Sequence, residues 1–356
     1  MIVMNRKEGR YKDSLLSLLM LLITVTITSC DRENIDFAEK IPISFTSSVE
    51  TKALISDVTG IQKTGIGVTA YIQQGNNVNP VMKNQQVTYS DGNWTYSPVS
   101  YWSKSDNYIF TAYAPFSSNP TTDLAARTMT FSGIPQYQSV MTDNEIERAK
   151  DILTDTKSGS YQSEFSNGKV QFELKHELAY LEICAVKADI ASMRNVDFKV
   201  VSLDLGDTEN QMAQSVNDRT FTKNVLDNSQ SNWSRVNYPD NGKYSIITSI
   251  DGQQEIPNEV DKNPLVLAQM LVAPFEFGGN ANPHSLAFQI TYNKVDGPNS
   301  TNHDITGHAV TINKFEAGKK YIVTLRFNTA SKVEINTVVV ENWTTGSTYE
   351  PPVFNW

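Results

Sequence analysis

Hydrophobic and polar positions alternate in short runs along most of this chain, the period-two pattern of strands that turn one face to a core. IPISFTSS (41–48), IGVTAYIQ (66–73), QQVTYS (85–90), NWTYSPV (93–99) and NYIFTAYAP (107–115) are rich in β-branched and aromatic residues, with Asn, Gly, Pro and Ser clusters between them. Each reads as a strand. Ser90-Asp91-Gly92-Asn93 predicts a hairpin turn, because Asp-Gly accepts the positive φ such a turn needs. TMTFSGI (128–134) adds a short strand. In VQFELKHEL (170–178), Val170, Phe172, Leu174, His176 and Leu178 share one face, and Gln171, Glu173, Lys175 and Glu177 the other. The apolar phase then shifts to Leu181, Ile183 and Ala185, which predicts a bulge or strand break near Ala179-Tyr180.

The second half repeats the pattern. Strands are expected over 196–205, 243–250, 265–275, 285–293, 308–313, 320–327 and 333–343, around a long polar region from 206 to 263. Within 320–327, Tyr321, Val323, Leu325 and Phe327 face one way. The one helix expected is TDNEIERAKDIL (142–153), where Thr142 and Glu145 have capping-box spacing. Without a βαβ alternation, the simplest architecture is all-β: two tandem Greek-key β-sandwich domains, 41–190 and 191–356, with at most short peripheral helices.

The N-terminus breaks this pattern. Arg6, Lys7, Arg10 and Lys12 precede an apolar run, LLSLLMLLITVTIT (15–28), shorter than the roughly 20 residues a membrane-spanning helix needs. It fits an export signal. Its end, Ile27-Thr28-Ser29-Cys30, resembles a bacterial lipobox: small residues admit the signal peptidase, and the cysteine thiol takes the lipid. Residues 1–29 are thus the expected signal peptide, Cys30 the lipidation site, and 30–40, with the acidic DRENID, a solvated tether. That acidic run also resembles the surface-export signal of some Gram-negative lipoproteins. Anchorage at the outer membrane or cell surface is expected, not a membrane span.

Charge narrows the partners. The 356 residues carry a formal net charge of −9. Loss of residues 1–29 removes four basic and two acidic side chains, leaving 26 basic against 37 acidic, or −11. Such a body repels polyphosphate, so no nucleic-acid partner is expected. With Cys30 consumed, Cys184 in LEICAVKA stands alone as a small buried hydrophobe.

Candidate chemistry is sparse. His176 opens HELAY, which lacks the second histidine of a zinc protease helix and sits in a strand pattern; it reads as a core histidine with a satisfied hydrogen bond. His303 and His308 in HDITGH read as a loop without further ligands, and DLGDTEN (204–210) lacks the spacing of a calcium loop. The chain contains no nucleophile elbow, P-loop or dinucleotide fingerprint. No cofactor and no catalysis are expected. Trp94, Trp102 and Trp233 are candidates for stacking on a host glycan, against the alternative that they fill a core.

Several stretches, in order, resemble the fimbrillin family of lipoprotein pilins: ISFTSSVETKALI (43–55), YWSKSDNYIFTAYAP (101–115), DILTDT (151–156), VQFELKHELAYLEI (170–183), FEAGKKYIVTLRF (315–327) and VVVENWTTG (338–346). The resemblance implies two transthyretin-like β-sandwich domains and a structural or accessory subunit (anchor, stalk or tip) of a type V pilus. It implies partners that are other pilus subunits, joined by strand exchange: a protease removes the first strand, and a strand of the next subunit fills the groove. Residues 41–48, with Ile41, Ile43 and Phe45 on one face, correspond to that removable strand. The C-terminal TTGSTYEPPVFNW is a candidate donor, although Pro351 and Pro352 interrupt a ladder. Many members of the family are cut after an arginine near the Thr-basic-Ala step. Here Lys52 stands there, with no arginine between Arg32 and Arg127, so Lys52 is the candidate maturation site, or the strand is retained. The alternative reading is a surface adhesin that binds a glycan or host protein.

Overall fold

The computed structural model describes residues 40–49, 58–75, 77–117, 120–193, 195–207, 218–228, 231–234, 244–247, 255–257, 264–276, 285–296, 298–309, 312–329 and 332–343. Met1–Pro42 and Ile43–Trp356 form separate units, and of the first only residues 40–42 are described. Every described strand lies in the second unit.

The fold is all-β. In chain order the strands are β1 (Ser44–Val49), β2 (Ile66–Gln74), β3 (Asn77–Ser90), β4 (Asn93–Thr95), β5 (Asn107–Ala114), β6 (Thr121–Asp123), β7 (Thr128–Ile134) and β8 (Tyr137–Ser139). Next come β9 (Leu153–Ser160), β10 (Lys169–His176), β11 (Ala179–Lys187), β12 (Val196–Asp207), β13 (Arg219–Asn224), β14 (Ser231–Trp233) and β15 (Tyr244–Ile247). The last are β16 (Leu265–Val272), β17 (Phe275–Glu276), β18 (Leu286–Asp296), β19 (Asn299–Ala309), β20 (Lys314–Phe315), β21 (Lys319–Thr329) and β22 (Lys332–Asn342).

Apart from the two-stranded β17-β20, these strands build two layered pairs of sheets. A seven-stranded sheet, β1-β10-β9-β5-β2-β3-β4, carries a four-stranded one, β14-β13-β7-β6. Tyr113 of β5 meets Phe131 of β7 edge-on, ring centroids 5.0 Å apart, and Thr111 Oγ1 donates to Val225 O at 2.7 Å just past β13. The second pair is β22-β21-β11-β16-β8 against β15-β12-β18-β19. Its core interleaves Leu181, Ile183 and Ala185 of β11 and the four predicted residues of β21 with Phe198, Leu203, Phe288 and Tyr292. The phase shift after β10 is a strand break at Glu177-Leu178, and the two sides of that break belong to different sheets.

The sheets do not follow sequence order. β13 pairs with β7 on one side and β14 on the other, while β8 pairs with β16. Arg219 at the start of β13 donates to Gln136 Oε1 and, at 3.2 Å, to Pro274 O. Gln136 in turn donates to Ala273 O at 2.7 Å.

Three local expectations are corrected. The predicted helix 142–153 is only α2 (Asp143–Arg148), after α1 (Val58–Thr64). Its capping box forms as expected, but Ala149 turns extended, and the buried Ile152 and Leu153 lead into β9 instead. α1 carries no periodic signal; it stops where Gly65, at φ +77°, donates to Ile61 O at 2.7 Å. The supposed loop HDITGH lies within β19, a strand that ends at Ala309. Cross-strand polar pairs, Thr291 with Asp304 and Asn293 with Asn302, hold it, so hydrophobic alternation could not report it.

Candidate functional site

The predicted first strand lies in a slot at one edge of the seven-stranded sheet. β1 pairs with β10 in parallel, Ser44 opposite Lys169 through Val49 opposite Leu174. Parallel ladders have slanted bonds and hold slightly less firmly per residue than antiparallel ones. Gly168 O secures the entrance, accepting from Ser44 N at 3.0 Å, Ser44 Oγ at 2.9 Å and Trp102 Nε1 at 3.1 Å. On the opposite side a strap, residues 96–102, closes over Ile43. Ile43 N donates to Ser100 O at 2.9 Å, and the Tyr96 hydroxyl donates to Ile43 O at 2.9 Å. Burial pushes the Tyr96 phenol above its ordinary value, with the Ser100 backbone bond opposing. The phenol therefore keeps its proton for Ile43.

Side chains fill the floor. Phe45 stacks on Phe172 at 5.9 Å and also meets Tyr96 at 5.3 Å and Phe110 at 6.0 Å. Ile43 and Phe45 are buried. The next inward position is weaker: Ser47 Oγ is buried without a hydrogen-bond partner, an arrangement that costs about 1–3 kcal/mol. The slot thus offers backbone pairing and aromatic pockets, which suit an extended peptide.

Of the other residues singled out by sequence, Cys30 and Lys52 lie outside the described residues. Ile41 belongs to the separate N-terminal unit. Trp102 is no exposed sugar platform: it is buried at the end of the strap, stacked on Phe165 at 5.3 Å. Trp233 leans on Phe221, and half-buried Trp94 meets Tyr89 edge-on at 5.3 Å near the β3–β4 turn. Cys184 is buried, and burial together with the neighbouring Glu182 charge pushes its thiol up to about 12, far from a reactive thiolate.

Two buried polar groups were only partly legible. His176, at the end of β10, bonds Asp151 through Nδ1 at 2.9 Å, while its Nε2 has no partner. The indole of Trp343, just after β22, covers that imidazole. Lys223 of β13 is buried and reaches Asn228 O at 2.8 Å, Ser231 Oγ at 3.2 Å and Glu177 Oε1 at 3.7 Å; Thr154 also donates to Glu177. The alternation TFTKN hints that Lys223 faces inward, but its acid partner sits outside any local motif.

The fold and slot define a layered all-β protein whose first strand occupies a parallel edge position. The profile of the family described as Fimbrillin-like matches residues 51–343, so the chain belongs to the fimbrillin-like family. It is similar to the fimbrium subunit Fim1C of Phocaeicola vulgatus, 24% identical over 378 aligned residues, covering 93% of this chain and 97% of that protein. Its fold is similar to the crystal structure of a fimbrial protein from Bacteroides vulgatus, with a TM-score of 0.61 and 19% identity over 85% of this chain and 99% of that one.

Proposed function

We propose that the chain is a non-catalytic subunit of a surface fimbria, structural or accessory, anchored at the outer membrane through lipid on Cys30 and joined to its neighbours by strand exchange. Family membership supports the fimbrial role. The observation that carries strand exchange is the slot: β1 is an edge strand, paired in parallel, with an unsatisfied Ser47 hydroxyl in its inward row. Cleavage near Lys52 would free β1 and bare the β10 edge and the Phe45 pocket. A neighbour's segment, with residues 344–356 as the candidate donor, would then restore the ladder, and an antiparallel entrant would pair more firmly than β1 does.

Mass spectrometry of the N-terminus, on chain taken from producing cells, tests this directly. A diacylated Cys30 in the membrane-held form and a start at Ala53 in the fimbrial form are expected. Fimbriae purified from cells that express the chain, yet never containing it, would sink the assembly role.

A further inference from the structure

The strap gives β1 a second bonded edge at Ile43. Ser100 N donates to Tyr96 Oη at 3.2 Å, and the Tyr96 hydroxyl donates to Ile43 O at 2.9 Å, so the phenol stands between the two backbones as a relay. Ile43 N completes the ring by donating to Ser100 O at 2.9 Å. From Ser44 onward β1 is the end strand of its sheet, and among the described residues its ladder is with β10 alone.

The strap is fastened at both ends. Trp102 Nε1 donates at 3.1 Å to Gly168 O, the same carbonyl that takes Ser44 N and Ser44 Oγ. Its ring is set in the core against Tyr108 at 4.8 Å and Phe110 at 5.6 Å. At the other end Gln85 Nε2 donates to Ser97 O at 3.1 Å. Between these anchors Ser97, Pro98, Val99 and Tyr101 are exposed. The middle of the strap therefore rests on β1 through the Tyr96 ring, 5.3 Å from Phe45, and the relay.

The two ends of β1 consequently leave in different ways. From Val49 back to Ser44 the bonds to β10 can break one after another, in the weaker, parallel kind of ladder. Ser47, with a buried hydroxyl that has no partner, adds little grip there. At Ile43 the strand is held on its strap edge as well, and the strap must lift before the strand can move. Those bonds break together, while Ile43 and Phe45 lose their buried places.

We propose that the strap is a latch, with the Tyr96 hydroxyl as its pin, that keeps β1 in the slot after the chain downstream of β1 has been cut. The inference rests on the strand-exchange reading and divides its first event in two. Cutting unties β1, and lifting the strap lets it go. Tyr96 is a positioning residue in this scheme: it holds the backbone of Ile43 and sets the time at which the slot empties.

The test uses the full chain with a site-specific protease sequence inserted among residues 50–57, cut after folding so that every residue is still present. Size-exclusion chromatography with mass detection follows the departure of the N-terminal fragment. In the parent the fragment is expected to stay with the body after the cut. Tyr96→Phe keeps the ring on Phe45 and removes the pin. It should speed departure about tenfold, the effect of roughly 1.4 kcal/mol lost with one buried hydrogen bond. Trp102→Phe keeps an aromatic ring, removes the N–H held by Gly168 and should act in the same direction. Before cutting, hydrogen exchange in Tyr96→Phe should quicken at the Ile43 and Ser100 amides and not along β5, a pattern that a general loss of stability does not give. A parent fragment that leaves as soon as the chain is cut, or variants that release it at the parental rate, would overturn the latch while strand exchange stands. If emptied bodies never join one another, the strand-exchange reading falls and the latch loses its role with it.

Discussion

The indole of Trp343 lies nearly parallel to the imidazole of His176, ring centroids 3.7 Å apart and planes 17° from coincidence. His176 ends β10 and Trp343 directly follows β22, strands of different sheets, and most of the second half of the chain separates them. Their contact fastens the end of β22 to the end of the strand that holds β1.

Trp343→Ala should therefore destabilise the fold by about 3–5 kcal/mol, the usual loss for deleting a buried aromatic. A guanidinium unfolding midpoint measures it. A loss under about 1 kcal/mol would mean that the stack is incidental.

Phe45 and Ser47 should act in opposite directions within β1. Phe45→Ala vacates a pocket shared with Phe110 and Phe172 and should cost about 3–5 kcal/mol. Ser47→Ala removes a buried hydroxyl with no partner and should stabilise by about 1 kcal/mol. Hydrogen exchange at the amides of β1 reads both, faster in the first variant and slower in the second.

Much of this fold could be read from sequence, and the failures have a common cause. β10 and β21 were legible because each buries alternate side chains, and alternation is a local signal, whereas β5, buried on both faces, was legible from its run of β-branched and aromatic residues. β1 was legible as a strand, yet its partner Gly168 lies 124 residues away and its parallel sense leaves no local trace. The strap resembled the end of a strand. Only the bonds of Tyr96 and Ser100 to Ile43 define it as one wall of the slot. The acidic partners of His176 and Lys223 were invisible for the same reason, since contact and not spacing pairs them.

Lys223→Met should cost about 3–5 kcal/mol, because Glu177 would keep a buried charge that has lost its cation. The first consequence should be local: limited proteolysis ought to cut around β13 and β14 before the rest of the chain. Simultaneous cleavage everywhere would place the damage elsewhere.

Alkali should expose the buried phenols. Burial pushes Tyr113 and Tyr292 up to about 12 from an ordinary 10. The folded chain thus holds these protons more tightly than the unfolded chain does. Their contribution to stability is complete below about pH 10 and falls as the pH rises toward 12. Ultraviolet titration should show these tyrosinates appearing late, together with unfolding; ordinary titration near pH 10 would contradict their burial.

The crossing of strands between sheets bears on how the molecule is made. β7 waits for β13, and β13 ends only at Asn224. A polypeptide that emerges N-terminus first, on the ribosome or through an export channel, must hold β6 and β7 as half a layer until nearly two thirds of its length has appeared. The order of synthesis and the order of assembly are therefore out of step, and whatever protects the growing chain must cover that interval.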